Sequence, residues 1–415
     1  MKRLSYFILL FLLSFSYRGV IAQTFDERDL HTYIEFLASD KLGGRDPGTR
    51  GEHLARHYIV REFRRYELLG RGTHKHHFIQ KFTYKVAVNP HDTLVKYKHK
   101  TGTNIIAYIN NNARKTIVIG AHYDHLGKAA HNSSLDKNNM KGVIHNGADD
   151  NASGTAGVML LAKYFKTNQL IEHSNLLFIL FSGEEDGLVG SKYWTHHPTI
   201  DTSKIICMIN LDMIGRLNDS TRKLVVYGVG TSPDFNEIFK SVYLDDFNMV
   251  YDSSGMGPSD QTSFYLKNYP VLHFFTGQHA DYHRSTDDFE KINYKGEMHV
   301  LTLVARIITK LSYKDSLLFT HTQQSEQDKI SFKVTLGLMP DYTFDGKGMR
   351  IDGVTPGKPA EKAGIKGGDI MIKMGEIKIE NVYDYMKALS KFKKGDRTEV
   401  EIERNKESIK LRVAF

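Results

Sequence analysis

Cysteine is nearly absent from these 415 residues: Cys207 stands alone inside the apolar run Ile205 to Ile209. No disulfide can form within the chain, and no cysteine stands near residue 23 to take a lipid anchor. Long apolar runs are lacking too, because Phe7 to Phe15 falls well short of the ~20 residues that span a bilayer. That run follows Lys2 and Arg3 and precedes Val20-Ile21-Ala22, the layout of a secretory signal peptide. It predicts cleavage before Gln23, export, and no integral membrane span afterwards. Export without disulfides fits a bacterial periplasm or secretion better than a eukaryotic extracellular space. The net charge of +8 is scattered with no long basic block, which gives nucleic-acid binding no support. There is neither an internal repeat nor a low-complexity tract, and 40% hydrophobic with 25% charged residues describes a globular protein rather than a disordered one.

The length suits one large domain with a smaller companion. Leu30, Ile34 and Leu37 recur at helical spacing, and Glu52 to Phe63 does so again after the loop LGGRDPGTRGE. Phe78 to Tyr84 and Asn104 to Ile109 are predicted strands, and the patch His74 to His77 between these elements reads as a solvated loop. Four short apolar runs then share one device. Thr116 to Gly120 leads to His122 and Asp124, Leu176 to Phe181 to Glu184 and Glu185, Ile205 to Leu211 to Asp212, and Val271 to Phe275 to His283. Such runs, with helical stretches between them, predict central strands covered on both faces. The fold class is therefore α/β, a mixed and largely parallel sheet flanked by helices, with ligand-type residues gathered beyond the carboxyl ends of its strands. Leu317 to Lys329 is polar and reads as a linker, and a small β-rich unit follows, with one helix predicted over Val382 to Phe392. The expected organisation is a signal peptide at 1–22, a large domain at 23–316, a linker at 317–329 and a second domain at 330–415.

The stretch IHNGADDNASGTAG, Ile144 to Gly157, sets two carboxylates side by side as Asp149 and Asp150. Adjacent acids repel unless cations or hydrogen-bond donors offset the cost. One reading is a helix cap, with Asp150 or Asn151 satisfying the free amides of a helix from about Ala152 to Phe165. The other is a metal site, and the local text leaves both open. Taken jointly, His122, Asp124, Asp150, Glu184, Glu185, Asp212 and His283 favour metal. Mixed imidazole and carboxylate donors without thiolate suit zinc, manganese or cobalt. Two ions about 3.5 Å apart need a bridging carboxylate, which would give the paired acids their purpose.

GAHYDH (Gly120 to His125), GADDNASG (Gly147 to Gly154), SGEEDGLVGS (Ser182 to Ser191), NLDMIG (Asn210 to Gly215) and DYHRSTDD (Asp281 to Asp288) resemble the ordered motifs of metallopeptidase family 28. That is the co-catalytic zinc aminopeptidase family, and the likeness runs from about Asp26 to Leu311. The resemblance implies two Zn2+ ions bridged by Asp150, one also held by His122 and Asp212 and the other by Glu185 and His283. It implies a cis peptide bond at Asp150-Asn151, and Glu184 and Asp124 as the catalytic side chains. Glu184 would be the general base for an activated water, and Asp124 would orient the His122 imidazole. Loops Asp252 to Phe264 and Thr276 to Tyr282 would wall the substrate pocket. One departure stands out: Met256 occupies the position of the family's oxyanion tyrosine, with Tyr251 and Tyr282 as candidate replacements.

The segment TLGL (Thr335 to Leu338), followed by GVTPGKPAEKAGIKGGDIMIKMGEIKIEN, resembles a PDZ domain of the bacterial protease-associated type. That resemblance implies a groove at Leu336, Gly337 and Leu338 able to take a peptide or a protein carboxyl terminus as an added strand. The reading is an exported zinc aminopeptidase acting on peptides. Its rivals are another hydrolase or a glutaminyl cyclase on the same fold, and a non-catalytic peptide-binding protein working through its PDZ domain.

Overall fold

The computed structural model describes residues 25–74, 77–87, 97–128, 134–136, 142–168, 170–242, 246–322, 334–340, 347–354, 357–380 and 382–415. The expected signal peptide, part of the His74 to His77 patch and residues 323–333 lie outside them. No helix among the described residues is long and apolar enough to cross a membrane.

Nine strands build the larger sheet: β1 (Leu69–Gly70), β2 (Ile79–Ala87), β3 (Tyr97–Ile109), β4 (Thr116–His122), β5 (Asn175–Phe181), β6 (Ile205–Leu211), β7 (Lys223–Tyr227), β8 (Asn248–Tyr251) and β9 (Val271–Phe275). Their order is β1-β3-β5-β4-β6-β9-β7-β8, with β2 paired to β3. The central strands β5, β4, β6 and β9 run parallel to one another, while β3 joins β5 and β7 joins β9 antiparallel. The mixed, largely parallel sheet predicted from the apolar runs is therefore present.

All residues of β4, β5, β6 and β9 are buried. Side chains alternate across the sheet, so Leu176, Phe178 and Leu180 of β5 enter one core, and Leu177, Ile179 and Phe181 enter another. The larger core is completed by α1 (Glu27–Leu37), α2 (Arg50–Arg65), α3 (Gly154–Thr167) and α7 (Tyr294–Ser312). Trp194 of α4 (Val189–His196) and Phe264 of α6 (Gln261–Tyr265) cover the opposite face, while α5 (Asp234–Ser241) packs with the larger core. Full burial contributes about 1.5–3 kcal/mol for each such Leu, Ile or Phe. The strand ends that carry the site are thus held from both sides.

The β2–β3 hairpin is longer than its sequence suggests. Pairing runs from Ile79 opposite Ile105 to Ala87 opposite Tyr97, which draws the polar YKHKTGT stretch into the ladder. The segment predicted as linker also begins in contact with the larger domain: Thr320 N–H donates to the Thr231 carbonyl at 2.9 Å, and Thr322 N–H to the Tyr265 hydroxyl at 3.2 Å.

The smaller sheet comprises β10 (Leu338–Pro340), β11 (Met349–Val354), β12 (Ile370–Met374), β13 (Ile377–Lys378), β14 (Arg397–Arg404) and β15 (Glu407–Ala414), all paired antiparallel. With α8 (Pro359–Lys362) and α9 (Val382–Leu389) it encloses its own core, including Leu336, Ile351, Met371 and Val400. The helix predicted to reach Phe392 stops at Leu389, because the chain tightens there into a turn in which Phe392 N–H bonds the Leu389 carbonyl at 3.2 Å. In the segment expected to form the groove, Leu336 is buried, Gly337 has φ +72° with its amide on Thr335 Oγ1, and Leu338 opens β10.

Candidate metal centre

Parallel strands place their carboxyl ends on one edge, and the candidate residues collect there. His122 is the last residue of β4, Glu184 and Glu185 follow β5 after a turn at Gly183 (φ +81°), Asp212 follows β6, and His283 lies in the loop beyond β9. Asp150 comes from a wide turn, Ala148–Ser153, that precedes α3.

That turn separates the two adjacent acids. The Asp149 side chain is used structurally: one oxygen accepts from Gly215 N–H at 2.7 Å and Ser153 Oγ at 3.0 Å, and the other lies 3.1 Å from His279 Nε2. The Asp150 carboxylate points the other way, 3.4 Å from His122 Nε2 and 3.1 Å from His283 Nε2. The backbone amides of both acids donate to Asp287 Oδ2, at 3.0 and 3.1 Å. Gly147, at φ +56°, admits no side chain, since a Cβ there would sit 2.0 Å from the Asp150 carbonyl and 2.4 Å from the His125 ring. The Asp150-Asn151 peptide bond is cis. Asn151 supplies the cap: its side-chain oxygen accepts from Gly154 N–H at 2.9 Å and Met213 N–H at 3.2 Å, and its amide donates to the Leu211 carbonyl. Capping and an inward carboxylate thus coexist on consecutive residues.

Two groups of potential ligand atoms result, His122–Asp150–Asp212 and His125–Asp150–Glu185, each with its atoms within 4.8 Å of one another. Asp212 Oδ1 lies 3.4 Å from His122 Nε2, and Glu185 Oε2 lies 3.3 Å from His283 Nε2. Glu184 borders the same cavity, outside both groups. Among the described residues no lysine or arginine pairs with Asp150, Glu184, Glu185 or Asp212. Burial favours protonating Asp150, yet His125, His122 and His283 outweigh it and hold the carboxyl well below its ordinary range. Burial, reinforced by Glu185 and Asp212, pushes Glu184 well upward despite His122. Buried acids crowded in this way demand cations. The donor set, imidazole and carboxylate without sulfur, fits divalent metal of the zinc type.

Several contributors escaped the sequence reading. His125 Nδ1 is hydrogen-bonded to Glu185 Oε1 at 2.7 Å. Arg45, fully buried, donates to the carbonyls of Leu37, Tyr123, Asn146 and Gly147 and so ties the end of α1 to two loops. Burial pushes its guanidinium down to about 10, with Asp124 and Asp150 opposing. Asp186 accepts from Tyr84 Oη at 2.6 Å and Lys100 Nζ at 2.9 Å, which anchors the Glu184-Glu185 turn to the β2–β3 hairpin.

The cavity beside these groups has a volume of about 150 Å³. The two expected wall loops contribute Pro258, Ser259, Gln278 and Tyr282, and Tyr227, His273, Phe275 and Pro340 add to them. Tyr282 stacks on His283 at 4.0 Å, and its phenol is pushed well upward, by burial first and then by Asp150. Tyr251 is instead 45% exposed against Phe239, and Met256 packs against the second core. His273 is buried with neither ring nitrogen hydrogen-bonded, and burial pushes its imidazole down to about 4.

Residues 104–308 match the profile of Peptidase family M28, and residues 321–415 that of a PDZ domain. A probable leucine aminopeptidase of Arthroderma otae is 29% identical over 175 residues, covering 40% of this chain and 45% of that protein. The chain thus spans less than half the length of that curated relative. The fold is shared with an aminopeptidase from Aneurinibacillus sp. strain AM-1, at a TM-score of 0.55 and 18% identity over 73% of this chain and 98% of that one. It is also shared with Porphyromonas gingivalis glutaminyl cyclase, at a TM-score of 0.54 and 18% identity over 70% and 100%.

Proposed function

Because residues 104–308 belong to peptidase family M28 and residues 321–415 to the PDZ domains, we propose that this chain is an exported aminopeptidase that holds two zinc ions and removes the amino-terminal residue from peptides. The domain limits proposed are 23–316 for the peptidase, 317–329 for the linker and 330–415 for the PDZ domain, after a signal peptide at 1–22. The observation that carries the reading is one carboxylate, Asp150, common to two histidine-carboxylate groups, with Glu184 beside both and in neither.

His122, Asp150 and Asp212 would hold one ion, and Asp150, Glu185 and His283 the other. Donors around a tetrahedral ion with bonds of about 2.0–2.1 Å sit roughly 3.3–3.4 Å apart. The pairs His122–Asp150, His122–Asp212 and His283–Glu185, at 3.4, 3.4 and 3.3 Å, suit that spacing, and His283–Asp150 is shorter at 3.1 Å. His125, at 2.7 Å from Glu185, is at hydrogen-bond distance instead and orients that carboxylate. When bound, the metal supplies a water acidic enough to ionise near neutrality and polarises the scissile carbonyl.

Glu184 takes the proton of the attacking water on its carboxylate and returns it to the departing amine. Asp124 fixes Glu184 through its backbone amide. The Tyr282 phenol, protonated and in the cavity wall, would donate to the developing oxyanion, the part for which Met256 is unsuited. A cavity of about 150 Å³ with Tyr227 and Phe275 in its walls suits one side chain rather than an extended peptide. The PDZ groove at Leu336 to Leu338 would receive a peptide carboxyl terminus as an added strand.

Zinc-loaded full-length protein should release 4-nitroaniline from aminoacyl anilides with a free α-amine and leave N-acetylated analogues intact. Equal turnover of blocked substrates would overturn the aminopeptidase reading, and cyclisation of glutaminyl peptides without cleavage would replace it with the cyclase.

A further inference from the structure

Helix α2 and the β2–β3 hairpin enclose an open groove of about 940 Å³ that shares no lining residue with the catalytic cavity. Its walls carry His53, Arg56, His57, Arg61, Arg64 and Lys81, and a single carboxylate, Glu52. Glu52 is already committed. Its Oε1 accepts from Tyr123 Oη and Ser182 Oγ, both at 2.8 Å, and its Oε2 from Gly48 N–H at 2.9 Å. The nearby acids are engaged as well, Asp46 with Lys100 and Glu62 with Arg61 and Arg65.

The remaining basic side chains share the groove. Arg56 donates through one nitrogen to Thr103 Oγ1 at 3.1 Å and turns another against His53 Nδ1. The rings of His53 and His57 lie 4.4 Å apart. Lys81 is the cross-strand partner of Thr103, the same residue that holds Arg56. Among the described residues no carboxylate bonds Arg56, Lys81, His53 or His57. His53 Nδ1 accepts from Arg56 and is neutral in that contact, and the Glu52 carboxylate is held by three other donors, so the field of Arg56 and Lys81 is left to draw an anion. The remaining N–H groups of the guanidinium, the ammonium and the imidazole N–H groups offer several donors and two fixed charges, which match the acceptor oxygens and double charge of a phosphoryl group better than a lone carboxylate. Leu54, Val60 and Ile79 line the same groove and leave room for an apolar body behind the charged head.

We propose that this groove is an anion site for a phosphate ester or diphosphate, separate from the peptidase centre. The shared chemistry is the phosphoryl group, borne by a soluble ester or by a lipid headgroup. Titration calorimetry with inorganic pyrophosphate, on the zinc-loaded full chain, compares wild type with the Arg56→Gln, Lys81→Gln double variant. The expected result is binding weakened roughly tenfold or more in the variant, with anilide hydrolysis and melting temperature unchanged. Pyrophosphate held by the metal centre would survive in the variant, so equal affinity in the two proteins overturns the proposal. The single variant Lys81→Gln, at an exposed side chain, keeps the test valid should the double variant misfold. Cosedimentation with phosphatidylglycerol vesicles, against phosphatidylcholine vesicles, separates the sources. Vesicle binding lost in the variant identifies a headgroup, and pyrophosphate binding alone identifies a soluble ester. Binding of neither probe also overturns the site.

Discussion

Asp124 Oδ1 accepts the backbone N–H of Glu184 at 3.2 Å, while His122 Nδ1 lies nearer the Asp124 carbonyl, at 3.2 Å, than its carboxylate, at 3.8 Å. The carboxylate therefore grips the turn that presents Glu184 more directly than it grips the imidazole. Replacing Asp124 with Ala would leave a buried amide unsatisfied and free that turn. We expect kcat to fall roughly 10- to 100-fold while zinc content stays at the wild-type level. Loss of zinc in step with activity would return Asp124 to the role of imidazole anchor.

His125 and His283 both reach Glu185, but at different distances. If His283 is the ligand and His125 the hydrogen-bonding support, His283→Ala should bind one zinc ion fewer per chain than wild type. His125→Gln should retain both ions and lose affinity roughly 10- to 100-fold. Metal analysis after dialysis against a graded chelator distinguishes the two variants, and the reverse order would exchange their roles.

Arg45 satisfies four carbonyl groups from three separate segments. Arg45→Met fills the space and orphans the Leu37, Tyr123 and Asn146 carbonyls, each worth about 1–3 kcal/mol when left buried, while the Gly147 carbonyl keeps the Ala152 amide. A loss of at least roughly 3 kcal/mol in denaturant unfolding is expected, with zinc affinity falling alongside. A loss near zero would show that water replaces the guanidinium.

Glu297 is buried beneath the site with no hydrogen bond to either carboxyl oxygen, and burial, with Asp149 adding repulsion, holds its carboxyl well above the ordinary range. The unfolded chain releases this proton near pH 4.5, whereas the folded protein retains it to higher pH. Its contribution to stability is therefore complete in acid and declines as pH rises towards the folded-state value. Glu297→Gln should melt above wild type at pH 8, and the gap should close at pH 4. A gap independent of pH would mean that Glu297 has an ionised partner in solution.

The central strands were legible because full burial on both faces makes a strand a continuous apolar run, as in LLFILF and IICMINL. The hairpin was half legible. Tyr97 to Thr103 is polar, and only its register against β2 makes it a strand. The short β7 and β8 show no period long enough to read. Residues that end strands, such as His122 and Asp212, announce themselves by position. His125, Arg45 and Asp186 do not, because the groups they hold lie 60 to 102 residues away for His125 and Glu185, Arg45 and Gly147, or Tyr84 and Asp186. By residue type alone Asp149 and Asp150 read alike, and only the motif resemblance singled out Asp150; the turn at Gly147 to Ser153 is what separates their duties. The start of the expected linker shows the same effect. Thr320 and Thr322 look like solvated residues until Thr231 and Tyr265 come beside them.

The proposed donors His122, Asp150, Glu185, Asp212 and His283 end or follow four different β-strands or lie ahead of a helix, so no single element carries more than one of them. On the proposed assignment, high-affinity zinc uptake would be a property of the completed sheet, and coordination energy would become folding energy. Metal occupancy can serve as a gauge of native structure: a chain interrupted between Phe181 and Ile205 should lose tight zinc binding even though each half keeps part of the donor set.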